Sequence, residues 1–164
     1  MSIQQLANIE FDLYSHVISI GGSMESKEKT IANMGIFEEY KRVHKEYAIL
    51  SENNLEAAKR GLFLQWYSLS EPSCYTGIND LDEKSKEKVI DVINKIIIEN
   101  KNDTELDWMI NYYAGWDYLF ESYKIYTAFW CKIENADYKK IPDFNKEDMA
   151  KRGQMGIYWN SLSR

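Results

Sequence analysis

The chain has 164 residues, of which 45% are hydrophobic and only two are proline, so it can bury a substantial core and is unlike a disordered sequence. Its formal net charge of −6 and isoelectric point near 5.0 argue against binding to duplex nucleic acid, which requires clustered Lys and Arg. Apolar runs such as residues 96–98 are too short to span a bilayer, and acidic residues interrupt the N-terminal stretch where a secretory signal would lie.

Hydrophobic periodicity predicts three helices in the first half of the chain. The first runs from about Ile3 to Ser19 and stops at a Gly-Gly pair, because glycine tolerates the left-handed angles that end a helix. The second runs from about Lys27 to Leu50, with apolar residues at alternating steps of three and four. The third begins at Asn53, which can form a capping box with Glu56, and Pro72 ends it.

Similar start signals predict three more helices in the second half. Asp80 opens the fourth helix, which runs to about Glu99, and Asn145 opens the sixth. Thr104, with Asp107, opens the fifth helix, which runs to Ile133. No segment shows the period-2 alternation that is typical of strands. We therefore expect one all-α domain over residues 1–164, an irregular antiparallel bundle of about six helices around a long, central, aromatic-rich fifth helix.

The fifth helix is defined by a dense series of aromatic residues. At 100° per residue, most of its rings fall on one broad face, while Tyr118, Ile125 and Phe129 form a smaller second face. Two apolar faces predict that the helix is covered on two sides, or that the second face meets another chain or a ligand. An unbroken helix would be about 45 Å long, more than the roughly 40 Å diameter of a domain this size. Gly115 is its one weak point, where we expect at most a kink. The broad face consists of Trp108, Met109, Tyr112, Tyr113, Trp116, Leu119, Phe120, Tyr123, Tyr126 and Trp130.

The predicted third and sixth helices share a short sequence similarity, called the internal echo here. Residues 58–61 and residues 150–153 both read Ala-Lys-Arg-Gly, and a Trp/Tyr pair follows each at a similar distance. This similarity is compatible with a duplicated three-helix unit. Because the other helices do not align at the same offset, coincidence or a shared packing solution is the alternative.

The cysteine and histidine residues do not form a recognisable metal motif. Cys131 extends the apolar series of the fifth helix and is predicted to be buried, whereas Cys74 lies in a connecting loop and is a candidate reactive thiol. Two isolated cysteines favour a reducing compartment, and hence a cytoplasmic protein. Asp12, His16 and His44 could meet across two helices, but both histidines lie beside apolar stripes. We expect structural histidines and no cofactor.

No nucleophile elbow or phosphate-binding loop is present, so the sequence predicts no catalytic residue. The connection over residues 71–80 is longer than most bundles need. One hypothesis makes it a contact loop beside the predicted third and fifth helices. The alternative is that Tyr75 and Ile78 plug the end of the bundle. The candidate binding residues are Trp66, Tyr67, Glu71, Tyr75, Trp116, Asp117, Tyr118 and Glu121.

Two functions fit this composition. The leading hypothesis is a non-catalytic protein-binding module whose acidic surface attracts a basic partner, by analogy with immunity proteins and other inhibitors, or which self-associates. The competing hypothesis is an enzyme that binds a sugar or another small molecule in an aromatic-walled pocket between the predicted third and fifth helices. A concave pocket at Trp66 and Trp116 with an acidic residue would favour the enzyme. A flat exposed aromatic patch would favour the binding module.

Overall fold

Helices account for 75% of the chain in the computed structural model, which describes residues 1–137 and 141–163 and contains no strand within those ranges. Eight of the α-helices described there have seven or more residues, against about six predicted. The helices are α1 (Ile3–Ser19), α2 (Met24–Asn33), α3 (Ile36–Leu50), α4 (Leu55–Ser70), α5 (Ser73–Thr76), α6 (Glu83–Ile98), α7 (Thr104–Tyr113), a 3₁₀ helix (Ala114–Tyr123), α8 (Thr127–Glu134), α9 (Lys146–Met149) and α10 (Gly153–Leu162).

Glycine divides two of the predicted helices. Gly35, with a φ of 73°, separates α2 from α3 where the sequence predicted one continuous helix. Gly153, with a φ of 64°, begins α10 after the short α9 has ended at Met149, so the predicted sixth helix is not continuous. Only glycine adopts such left-handed angles at little cost, so both residues act as breaks rather than as tolerated interior positions.

Side-chain caps begin most of these helices, although three predicted caps are displaced by one or two residues. Asn145 caps α9 as predicted, since its side-chain oxygen accepts a hydrogen bond from the amide of Asp148 at 3.0 Å. Asp80 adopts a left-handed φ of 47° and therefore cannot cap a helix. In place of Asn53, Asp80 and Thr104, the observed caps are Asn54, Asp82 and Asp103.

The prediction of one long helix from Thr104 to Ile133 is wrong. Trp116, next to Gly115, has the non-helical angles φ −118° and ψ 50°, and Tyr126 departs again with φ −85° and ψ 79°. The first break lies inside the 3₁₀ helix and the second follows it, after which α8 packs against both α6 and α7. The chain thus reverses direction and stays within the fold instead of extending beyond it.

The central element is α4, the third helix predicted from the sequence. Every residue from Ala57 to Trp66 is buried, and α4 packs against α3, α6, α10 and the 3₁₀ helix. Gly61 permits one of these contacts, because a Cβ there would lie 2.9 Å from a methyl carbon of Val89 on α6. A helix surrounded in this way buries both its apolar and its polar side chains, and the buried polar ones require partners. No helix within the described ranges is long and apolar enough to cross a membrane.

Candidate functional site

Aromatic side chains from α4, α7, the 3₁₀ helix and α10 meet in one aromatic cluster. Trp66 lies at its centre and is only 1% exposed. Its ring stacks on Tyr113 at a centroid distance of 4.8 Å and meets Trp116 edge-on at 5.2 Å. These geometries are the ones that the ring quadrupoles favour. The aromatic cluster consists of Phe63, Trp66, Tyr67, Tyr112, Tyr113, Trp116, Tyr158 and Trp159.

One side of this cluster is a row of half-buried rings, the aromatic row, formed by Tyr67, Tyr158, Tyr112 and Trp116. Tyr67 and Tyr158 are 5.2 Å apart between centroids, and Tyr112 and Trp116 are 5.5 Å apart. A 2.6 Å hydrogen bond between the hydroxyls of Tyr112 and Tyr158 joins the two pairs. The row therefore joins residues of α4, α10, α7 and the 3₁₀ helix into one continuous aromatic surface.

The hydroxyls of Tyr67 and Tyr158 in the row stay neutral at physiological pH. Burial, followed by the charge of Glu71, raises the pKa of Tyr67 to about 12. Burial and the hydrogen bond with Tyr112 raise the pKa of Tyr158 well above its usual range. A neutral phenol that carries a proton can donate a hydrogen bond to a partner while its ring supplies apolar contact.

Exposed carboxylates lie beside the row. Glu71 follows the end of α4, and Asp117 comes directly after Trp116. Glu121 is exposed on the same 3₁₀ helix. None of these three acids pairs with a basic side chain in the part of the chain that the structure describes. Their negative charge is consequently available to an approaching molecule.

The 3₁₀ helix changes which residues of this segment face outward. Side chains three residues apart align in a 3₁₀ helix, so Tyr118, Glu121 and Lys124 share the exposed edge, while Phe120 and Tyr123 point into the core. Tyr118 is 62% exposed.

The predicted second face was therefore only partly correct. Ile125 is 79% exposed, as a surface position would be, and Tyr118 is exposed with it. Phe129, in contrast, is fully buried and packs edge-on against Phe120 at 5.5 Å. The break at Tyr126 rotates α8 relative to the residues before it, so Phe129 no longer shares a face with them.

The loop over residues 71–80 contributes less to this surface than the sequence suggested. Ile78 is fully buried, so the plug interpretation is correct for Ile78. Tyr75 is half exposed and lies on α5, where the ammonium of Lys27 sits 5.2 Å from its ring. Of the eight predicted binding residues, Glu71 and Tyr75 lie outside both the aromatic cluster and the 3₁₀ helix, and Glu71 follows Tyr67 and the end of α4.

The two rings that the enzyme hypothesis places on the wall of a pocket contact each other. Trp66 is buried in the cluster and meets Trp116 edge-on at 5.2 Å. An open groove of about 440 Å³ lies elsewhere, on α6 and α8. Its lining residues are Ile97, Ala128, Cys131, Lys132 and Asn135.

Sequence reasoning missed Tyr158, which α10 contributes to the middle of the row. The signal that could have identified it was the internal echo, because the Trp/Tyr pair that follows each Ala-Lys-Arg-Gly segment meets the other. The ring of Tyr158 lies 5.3 Å from Trp66 and 5.2 Å from Tyr67. The echo thus marks two segments that pack together.

The arginines of the echo also converge. Arg60 and Arg152 both donate to Oε1 of Glu56, at 2.8 and 2.6 Å, and Arg152 also binds Glu105. Burial raises the pKa of Glu105, but hydrogen bonds from Arg152 and Lys59 outweigh it and lower the pKa to about 2. The lysines of the echo differ, since Lys59 is buried and Lys151 is exposed. This ion network fastens the segment before α10 to α4 and α7.

Both cysteine predictions are wrong, in opposite directions. Cys74 lies in α5 and is buried, whereas Cys131 is exposed on α8. The two histidines differ in environment, because His44 is buried and His16 is exposed. Burial lowers the pKa of His44 to about 3, with a further contribution from Lys86, so its imidazole is neutral. Within the described ranges, no group of three His, Cys, Asp or Glu side chains could hold a metal ion.

No protein-family model matches the chain, and neither a curated protein nor a solved structure matches it.

Proposed function

We propose that the protein is a non-catalytic binding module that captures a basic protein through the aromatic row and its neighbouring carboxylates, in the manner of an immunity protein or another inhibitor. The observation that carries this proposal is a continuous row of half-buried rings beside Glu71 and Asp117, neither of which has a basic partner within the described residues. Rings that are already packed on one side lose little conformational entropy on binding.

The chemistry of the row supports a protein rather than a small ligand. Tyr and Trp side chains are enriched among the residues that contribute most to protein–protein affinity, because they combine a large apolar area with a polar tip. Glu71, Asp117 and Glu121 would increase the association rate of a basic partner at low ionic strength. The exposed side chain of Tyr118 extends this contact surface along the 3₁₀ helix.

The proposal is tested by capturing partners from an extract of the source cells with immobilised wild type and a neutralised variant. Glu71→Gln, Asp117→Asn and Glu121→Gln together change the net charge from −6 to −3 without altering the rings. We expect wild type to retain a basic protein that the variant loses, with weaker retention as salt is raised. Isothermal titration of the purified partner then gives the affinity loss.

A matched control separates local from overall charge. The exposed acids Glu25, Glu38 and Glu134 lie on α2, α3 and α8, and their replacement by Gln also gives a net charge of −3. This control should bind like wild type. The proposal is wrong if the two triple variants lose the partner equally, or if no captured protein distinguishes the row variant from wild type. A doubled mass in light scattering, lost in the row variant alone, would assign the surface to self-association instead.

A further inference from the structure

Glu10 is a carboxyl group enclosed between three helices. It lies on α1 and is 1% exposed. Its Oε1 accepts a 2.5 Å hydrogen bond from the hydroxyl of Tyr47 on α3, and its Oε2 accepts a 3.0 Å bond from the backbone amide of Gln154 at the start of α10. Gly153 makes the second contact possible, because a Cβ at this position would overlap the carboxyl group.

The charges around Glu10 are already balanced without it. The nearest cation is Arg60 on α4, which donates to the Tyr47 hydroxyl at 3.4 Å and to Glu56 at 2.8 Å. The other cations of the network, Lys59 and Arg152, are held by other acids. The network therefore contains the three cations Lys59, Arg60 and Arg152 and the three acids Glu56, Asp103 and Glu105. An ionised Glu10 would be a fourth, buried negative charge.

The remaining neighbours do not compensate such a charge. From α3, Tyr40 donates to the backbone carbonyl of Glu10 at 3.4 Å rather than to its carboxyl group. Neither α5 nor α10 contains a charged residue, and α5 is linked to α10 through a 3.1 Å bond from the Gln154 side chain to the carbonyl of Thr76. Burial therefore dominates and raises the pKa of Glu10 to about 7, although Tyr47, Gln154 and Arg60 oppose it.

We propose that Glu10 is a proton-sensitive latch, which holds α10 tightly against α1 when its carboxyl group is protonated and loosens that contact when the group ionises. In the protonated state, Oε1 can donate to the Tyr47 oxygen while Oε2 still accepts from the Gln154 amide, so both contacts survive without a buried charge. Release of α10 would let water reach Glu10 and would also remove Tyr158 from the aromatic row.

The direction of the effect follows from linkage. The pKa of Glu10 is raised in the docked state, so its contribution to docking is complete below pH 4.5 and is lost as pH rises to about 7. If the released carboxyl group returns to its ordinary pKa, the equilibrium constant for opening rises roughly 30-fold between pH 5.5 and 8.5. Most of this rise falls below pH 7.

Hydrogen–deuterium exchange of the α10 amides, corrected for intrinsic rates, tests the latch in the intact protein. We expect protection of α10, including the Gln154 amide, to fall roughly 30-fold over this range in wild type. In Glu10→Gln the protection should be independent of pH. Glu134→Gln removes an exposed carboxyl group on α8, outside the aromatic row, and should keep the wild-type profile. Equal profiles for wild type and Glu10→Gln would overturn the proposal.

Two further measurements keep the test decisive if Glu10→Gln does not fold. Carbon NMR of the side-chain carboxyl groups gives the titration of Glu10 in the wild-type protein, and a midpoint below pH 5 would refute the latch. Tyr47→Phe removes one hydrogen bond to the ionised carboxylate and so raises the pKa of Glu10 further in the docked state. The loss of α10 protection should therefore extend to higher pH and become larger than in wild type. A shift to lower pH, or none, would contradict the proposed geometry.

Discussion

Truncation of Trp66 to alanine is expected to be the most destabilising single change in the aromatic cluster. The indole is 1% exposed and touches rings from four different helical elements, so no single helix can move to fill the space that it leaves. Burying an aromatic side chain removes about 150–250 Å² from water, which corresponds to roughly 4–6 kcal/mol at about 25 cal/mol per Å². Truncations of buried Trp or Phe cost about 3–5 kcal/mol. We therefore expect Trp66→Ala to lower the free energy of unfolding by about 4 kcal/mol.

Urea unfolding followed by far-ultraviolet circular dichroism measures this loss, since the substitution itself alters the fluorescence. With a slope of about 2 kcal/mol per M, the midpoint should fall by about 2 M. The melting temperature should fall by about 8–16 °C, because each kcal/mol corresponds to about 2–4 °C in a protein of this size.

Trp116→Ala is the matched control, because Trp116 belongs to the same cluster but is half-buried on the row. Its replacement should cost about 1–2 kcal/mol, in proportion to the smaller area that it buries. A loss below about 1 kcal/mol for Trp66→Ala would refute the assignment of Trp66 as the centre of the core. So would a larger loss for Trp116→Ala than for Trp66→Ala.

Three other perturbations have defined outcomes. Gly153→Ala should destabilise the protein by about 2–4 kcal/mol in thermal unfolding, because its φ of 64° is unfavourable for alanine and its Cβ would meet Glu10; an unchanged melting temperature would contradict this contact. Glu105, whose pKa is lowered to about 2, contributes stability that is complete above pH 4.5 and is lost as pH falls towards 2. Urea unfolding at several acidic pH values should show this slope in wild type and a shallower one in Glu105→Gln. Tyr118→Ala and Ile125→Ala should each change stability by less than about 0.5 kcal/mol, and a larger loss would place these side chains in the core.

Helix positions were predictable where a polar cap adjoins a periodic apolar stripe. The predicted first helix matches α1, and Asn145 caps α9 as expected. Where several capping residues lie close together, the sequence does not say which one is used. Asn53 and Asn54 are equivalent as sequence signals, and only the backbone conformation selects Asn54.

The sequence predicts that many aromatic residues lie close together, but not which of their rings contact one another. The sequence prediction assumes that the α-helix continues through Gly115 with 100° per residue. In the structure, Trp116 has non-helical backbone angles and the chain continues as a 3₁₀ helix with three residues per turn. A local break of this kind depends on packing against α4 and α8, and contacts with α4 lie outside any short sequence window. The second break, at Tyr126, reorients α8 and explains why two of its residues have unexpected environments: Phe129 is buried and Cys131 is exposed.

Glu10 could not be identified from sequence because its neighbours are distant in the chain. A glutamate on an amphipathic helix normally faces water, and nothing near residue 10 predicts contacts with Tyr47 or with Gln154, 144 residues away. The polar groups that hold α10 in place can therefore be identified only from the structure, which brings α1 and α10 together.

This contact between α1 and α10 constrains the order in which the chain can complete its fold during synthesis. The elements made earlier, α1 and α3, supply Glu10 and Tyr47, but the backbone amide that completes the site belongs to Gln154, 144 residues after Glu10. Synthesis proceeds at about 5–20 residues per second, so several seconds pass between the synthesis of the earlier helices and that of α10. During this time the carboxyl group of Glu10 is incompletely covered, and Trp66 lacks its contact with the ring of Tyr158. A nascent chain stalled before residue 153 should therefore be a better substrate for chaperones and proteases than a chain in which α10 has been made and docked.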